Sequence, residues 1–235
     1  MTIQQFLLSI IARFFPAALF YKPTQNRSVA LTIDDGPTPG NIGGKSTKLI
    51  LEAITKHNQQ LNDSQYHVSA TFFIITEHLS DNSTIIDQII DQGHEIANHG
   101  TRDRKTSTLS KQLFEKDFTE ANEKLVHLSH QPIRWYRPGR AFYNQIMLDI
   151  LRQFSSYEPR FALASMIPLD TFKLTNNPKF TAWYISQFVF PGAILVLHAG
   201  SLERDKNTAI ALQLLLKKLH RWGYQVVTLS ELWRS

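Results

Sequence analysis

The chain contains no cysteine. Disulfides, thiolate metal sites and cysteine nucleophiles are therefore excluded, and any metal must be held by histidine and carboxylate. No glycine-rich phosphate loop follows an apolar run, which counts against a nucleotide-binding fold. Internal repeats and low-complexity stretches are lacking too. So are long hydrophobic runs: Phe6 to Phe20 is strongly apolar, but Arg13 and Pro16 interrupt it, and it falls short of the ~20 residues that span a bilayer. The opening Met1-Thr2-Ile3-Gln4-Gln5 carries none of the basic side chains of a secretory signal. Residues 1–27 are read as an apolar helix and lead-in, the helix packing on the domain or lying at a membrane surface through residues 6–20. Packing is the preferred reading, with a cytoplasmic or membrane-peripheral location.

With 235 residues, 43% of them hydrophobic, the chain can bury one sizeable core, and residues 28–235 are read as a single domain. The formal net charge is +5, yet Lys and Arg are scattered and no nucleic-acid motif appears. Seven short apolar runs, at 29–33, 70–75, 94–97, 134–136, 161–165, 193–197 and 225–229, are bracketed by polar, Gly or Pro residues and read as strands. Helical periodicity falls between them at 46–57, 82–91, 110–129, 144–153, 180–188 and 207–221. Alternation of this kind predicts an α/β fold of parallel βα units, in which an open sheet and a closed barrel fit the pattern equally well.

The most informative residues are Thr32-Ile33-Asp34-Asp35-Gly36-Pro37. Two acids stand where an apolar strand opens into a turn, the position at which α/β folds place their chemistry. Adjacent like charges call for a cation beside them. Alone, the pair reads equally well as a metal site or as an Asx-type turn whose acids bond backbone N–H groups. Other strand ends also carry polar groups: Asn98-His99-Gly100-Thr101-Arg102-Asp103, Tyr136-Arg137-Pro138-Gly139-Arg140, Pro168-Leu169-Asp170 and Leu195-Val196-Leu197-His198. Five such ends in order describe a catalytic face.

This ordered set resembles the polysaccharide deacetylases, the carbohydrate esterase family also called the NodB homology domain, over roughly residues 28–232. Thr32 to Pro37 is similar to the family's Thr-Phe-Asp-Asp-Gly-Pro motif, with Ile33 for Phe. His99 enters the second motif, but Asp103 stands where the family has a second His; Arg137-Pro138, Asp170 and Leu195 to His198 follow the remaining motifs. The resemblance implies a distorted (β/α) barrel of about seven parallel strands and a metal-dependent hydrolase that removes N-acetyl groups from N-acetylhexosamine units of a chitin- or peptidoglycan-like glycan. It further implies Asp35 and His99 as metal ligands, Asp34 as general base, Arg137 holding Asp34, His198 as general acid, Asp170 orienting His198, and a backbone N–H near Arg140 as oxyanion donor.

Asp103 would complete a two-carboxylate, one-histidine set with Asp35 and His99, or else pair with neighbouring Arg102 or Arg104. Zn²⁺ is the expected metal, with Co²⁺, Mn²⁺ and Fe²⁺ as alternatives that suit the extra carboxylate. Phe142 and Tyr143 are the best candidates to stack on sugar faces, and Arg140 would meet an anionic substrate or stay solvated. His94 is expected to satisfy a buried hydrogen bond, while His57, His67, His78, His127, His130 and His220 are expected at the surface. Two other functions fit the same residues: a catalytically inactive carbohydrate-binding homologue, and a deacylase of a small or lipid-linked N-acyl sugar.

Overall fold

The structure is a computed structural model that describes residues 2–40, 44–80, 84–172 and 174–234. Its centre is β2, Ser28–Gly36, nine residues of which all but Asp35 are buried. Val, Ala, Leu, Thr and Ile in succession, rather than apolar and polar in alternation, suit a strand covered on both faces. In parallel, β2 pairs with β3 (Thr71–Ile74) on one side and β6 (Ile194–His198) on the other, while β7 (Gln225–Val227) pairs with its first residues. The strand β4 (Glu95–Asn98) extends the sheet beyond β3. A second parallel pair joins β1 (Ala18–Leu19) to β5 (Phe161–Ala162).

The expected strand at 134–136 is reduced to a single bridge between Asn98 and Tyr136. Further backbone bonds run from Ala162 N to Tyr136 O at 3.0 Å and from Ser165 N to Ile194 O at 3.0 Å, linking the small pair to β4 and β6. The run at 161–165 pairs as a strand over only two residues. The pair at Ala18–Leu19 was not expected, because a two-residue strand offers no periodicity to read.

The helices are α1 (Ile3–Phe14), α2 (Thr47–Asn58), α3 (Ile85–Asp91), α4 (Lys111–Ser129), α5 (Gln145–Leu151), α6 (Pro178–Phe188), α7 (Leu202–Arg221) and α8 (Leu229–Arg234). The expected helix at 82–91 is seen from Ile85; residues 82 and 83 lie outside the described residues. Helix α7 begins five residues earlier than its apolar periodicity, because the Ser201 side chain accepts from Arg204 N and caps it. Among the described residues no helix is long and apolar enough to cross a membrane.

Helix α1 rests on the domain through Leu8, which packs against the core, and through Gln5, but its apolar face is turned outward. None of its residues is buried, and Ile3 and Phe14 are 81% and 77% exposed. Three histidine expectations fail. His57 is buried and His78 half-buried. Both ring nitrogens of His94 lack a hydrogen-bond partner; its ring lies 5.6 Å from that of Phe72, and burial brings its pKa down to about 4. It is a neutral aromatic filler.

Candidate active site

The parallel register carries the C-terminal ends of β2, β4 and β6 to one edge of the sheet. Asp34 of β2 lies directly opposite His198 of β6. In a regular strand the next residue, Asp35, would project to the opposite face. Instead the pairing with β3 shifts register between Ile33 and Gly36, and Asp35 takes a left-handed φ of 64°. Both carboxylates consequently line one cavity of about 490 Å³, together with His99, Asp103, Arg137, Arg140 and His198.

Arg137 organises the floor of this cavity. Its Nη1 donates to Asp34 Oδ1 at 2.5 Å and to Thr32 Oγ1 at 2.9 Å. Its Nε and Nη2 donate to the carbonyls of Ala162 and Leu163 at 2.8 and 3.1 Å. The guanidinium carbon lies 4.0 Å from the centre of the Phe73 ring. Burial disfavours the guanidinium charge, and Asp34 opposes that loss. Thr32 and Asp34, two apart on β2, share the face that meets this side chain.

His99 follows β4. Its Nδ1–H donates to the Arg137 carbonyl at 2.8 Å, which directs Nε2 toward Asp35 Oδ1 at 3.4 Å. Burial works against a charged imidazole here, but the bond to Asp35 and the nearby Asp34 outweigh it and raise the His99 pKa. Burial likewise opposes ionisation of Asp35, yet His99, His198 and Arg204 bring its carboxyl down to about 2. An ionised carboxylate oxygen and an imidazole nitrogen held by its other nitrogen are the donors a divalent cation uses. The pair fits one, and metal binding there would displace the proton on Nε2.

The expected third donor lines the same cavity but is held by another group. Asp103 Oδ2 accepts from Arg140 Nη2 at 2.9 Å, and both side chains are largely exposed. Among the described residues no three His, Asp or Glu side chains converge as a metal-holding group. Neither sequence neighbour is the partner of Asp103: Arg102 pairs with Glu77 at 3.0 Å and Arg104 with Asp117. Arg140 wins because it and Ala141 both adopt left-handed backbone, with φ of 61° and 60°. The Gly139–Ala141 turn thus stands across the cavity rim from Asp103, a proximity invisible in sequence separation.

On the opposite wall, Asp170 accepts from the His198 backbone N–H at 2.8 Å and lies 3.1 Å from His198 Nδ1 through each carboxylate oxygen. Burial lowers the His198 pKa, but Asp170, with Asp34 and Asp35, raises it above the usual value. Phe142 lines the cavity with Ile167 and Phe172, at 56%, 67% and 56% exposure. Tyr143, the other expected stacking residue, instead tilts against Phe161 at 4.8 Å between ring centres and is not among the cavity-lining residues. It follows Phe142 directly, so the turn that offers one ring to the cavity gives the other to the core.

Two contributors escaped the sequence reading. Arg204 Nη1 reaches Asp35 Oδ2 at 3.3 Å from the first turn of α7. Gly200 has φ +92°, and a Cβ there would stand 3.1 Å from both Asp35 Cβ and Asp35 O. Only the glycine two residues after His198 could have signalled this close approach.

A family model for polysaccharide deacetylase matches residues 21–157. The chain belongs to the polysaccharide deacetylase family. Among similar proteins is a peptidoglycan-N-acetylglucosamine deacetylase of Bacillus cereus, 27% identical over 90% of this chain and 91% of that protein. A chitooligosaccharide deacetylase of Rhizobium leguminosarum bv. trifolii is 26% identical over 88% of this chain and 93% of its own length. A solved structure of a mutant of BA3943, a CE4 family pseudoenzyme, with restored enzymatic activity, superposes with a TM-score of 0.73 at 26% identity, covering 92% of this chain and 71% of that one. The fold of this deacetylase-family chain is accordingly α/β with parallel sheets.

Proposed function

We propose that this polysaccharide deacetylase-family chain removes acetyl groups from N-acetylhexosamine units of a glycan of the peptidoglycan or chitin kind, on a distorted (β/α) barrel. The observation that carries the reading is the triple arrangement of Arg137 on Asp34, His99 against Asp35, and Asp170 on His198 around one cavity. The named activities of the relatives support it.

Asp35 and His99 would hold a divalent cation, with Zn²⁺ first and Co²⁺, Mn²⁺ or Fe²⁺ as alternatives; once bound, it polarises the amide carbonyl and makes a water nucleophilic. Asp103 would complete the set by exchanging Arg140 for the cation. The Asp103–Arg140 pair is largely exposed, and exposed ion pairs contribute only about 0–1 kcal/mol, so the exchange costs little.

The chain's own groups divide the proton traffic. Arg137 takes Oδ1 of Asp34 and leaves Oδ2 to accept a proton from the attacking water. As the carbonyl carbon gains that oxygen and the C–N bond breaks, His198 Nε2 gives its proton to the departing nitrogen, while Asp170 holds Nδ1 and stabilises the imidazolium. The products are acetate and a free amine. The backbone N–H of Arg140 is proposed for the developing oxyanion. The exposed rings of Phe142, which also carries Lys105 Nζ at 4.2 Å, and Phe172 suit the apolar face of a sugar ring.

One observation favours a second reading. Arg140 draws Asp103 away and Arg204 stands against Asp35, as would suit a non-catalytic carbohydrate-binding homologue. Incubating the protein with N-acetylglucosamine oligomers and Zn²⁺, Co²⁺ or Mn²⁺ separates the two. Metal-dependent acetate release supports the deacetylase; sugar binding without acetate release supports the homologue.

A further inference from the structure

Helix α1 is amphipathic with its sides reversed. Its polar and small residues Gln5, Ser9 and Ala12 lie on the half-buried side with Leu8, and Gln5 Nε2 donates to the Pro191 carbonyl at 3.3 Å. Ile3, Phe6, Leu7, Ile10 and Phe14, spaced three and four apart, form the opposite face and are all exposed. With Ile11 and Phe15 this segment holds seven of the twenty exposed large apolar side chains among the described residues. A packed surface helix would turn that face inward; isolated exposed apolar residues are ordinary, but a contiguous patch marks a contact.

The charge around the helix says what kind of contact. Gln5 touches Pro191, Gly192 N donates to Ser28 O at 2.7 Å, and Arg27 Nη1 donates to Trp222 O at 2.6 Å. The helix therefore rests beside the edge where β2, β6 and β7 begin. That edge presents exposed Arg27, Arg221 and Trp222, and α1 adds exposed Arg13 with no acid of its own. A two-fold contact between two copies would set these arginines against their own counterparts. An anionic lipid surface takes both features at once: acyl chains for the apolar face and headgroups for the basic rim. At 12 residues the helix is about 18 Å long, too short to cross and suited to lie in the plane.

We propose that α1 and the arginine rim beside it form a docking surface for an anionic lipid bilayer. Because the catalytic cavity opens at the C-terminal strand ends, the opposite edge of the sheet, docking leaves it facing away from the lipid. The surface is independent of the proposed chemistry.

Flotation of the full chain with vesicles tests it, comparing phosphatidylcholine alone with a mixture containing phosphatidylglycerol. The protein is expected to float with the mixed vesicles, less with phosphatidylcholine alone, and less in the mixture when salt rises from ~0.1 to ~0.5 M. Phe6→Glu/Phe14→Glu should cut vesicle-bound protein about tenfold or more while the thermal melt stays unchanged. Phe14→Trp, a milder change, should show a blue-shifted emission on adding the mixed vesicles. Wild-type protein that stays unbound with phosphatidylglycerol present overturns the proposal. So does a dimer in solution that Phe6→Glu/Phe14→Glu converts to monomer without any vesicle binding.

Discussion

Arg137 donates to Asp34 at 2.5 Å with the same nitrogen that reaches Thr32, while its Nε and Nη2 donate to two backbone carbonyls. The carboxylate is thereby clamped in one orientation at the bottom of the cavity. Lysine carries the charge but cannot fan donors in four directions. Arg137→Lys is expected to lower acetate release by about 10²-fold through misplacement of Asp34. Arg137→Ala strands a buried carboxylate and should cost about 3–5 kcal/mol in urea unfolding.

The Asp170–His198 contact sets a pH limit. A general acid works only while protonated, so activity falls as pH rises through the His198 pKa. Burial pulls that pKa down and Asp170 pushes it up. Removing the carboxylate charge with Asp170→Asn leaves burial to act, and the alkaline limb of the pH–rate profile should move to lower pH. A profile that keeps its alkaline limb would separate Asp170 from the acid's titration.

Much of this site was legible in the sequence because it is carried by strand ends. Asp34, Asp35, His99, Arg137, Asp170 and His198 each follow or close an apolar run, and parallel pairing gathers such ends at one edge. The central strands at 29–33, 70–75 and 193–197 were readable for the same reason: a doubly covered strand is a largely apolar run. What escaped depends on distance through space. Nothing in the spacing of Asp103 discloses that Arg140, 37 residues later, competes for it. The outward face of α1 is also hidden, since apolar periodicity reports that a helix has a face and not which way it turns. The run at 134–136 has strand composition but forms only one bridge.

Gly200 meets Asp35 where a side chain has no room. Gly200→Ala must place a Cβ 3.1 Å from Asp35 at φ +92°. Such backbone strain costs about 1–3 kcal/mol, which in a chain of this size lowers Tm by roughly 2–4 °C per kcal/mol. Calorimetry should show the drop, accompanied by weaker metal binding as Asp35 is displaced.

Arg140 and the metal are proposed to compete for Asp103. Removing the competitor with Arg140→Ala should tighten Zn²⁺ binding by at most about fivefold, the equivalent of a weak surface ion pair. Asp103→Asn should weaken it, and His99→Ala should weaken it further. Titration calorimetry distinguishes this from an Asp103 that never leaves Arg140, for which Asp103→Asn would leave the affinity unchanged.

The two adjacent acids have separate tasks in the proposed reaction, and Asp34→Asn separates them most directly. The initial rate of acetate release from N-acetylglucosamine oligomers at saturating metal should fall at least about 10²-fold, while Zn²⁺ affinity measured on the same variant stays at the wild-type value. A variant that releases acetate at the wild-type rate, or one that loses the metal along with its activity, would contradict the division of Asp34 as base and Asp35 as ligand.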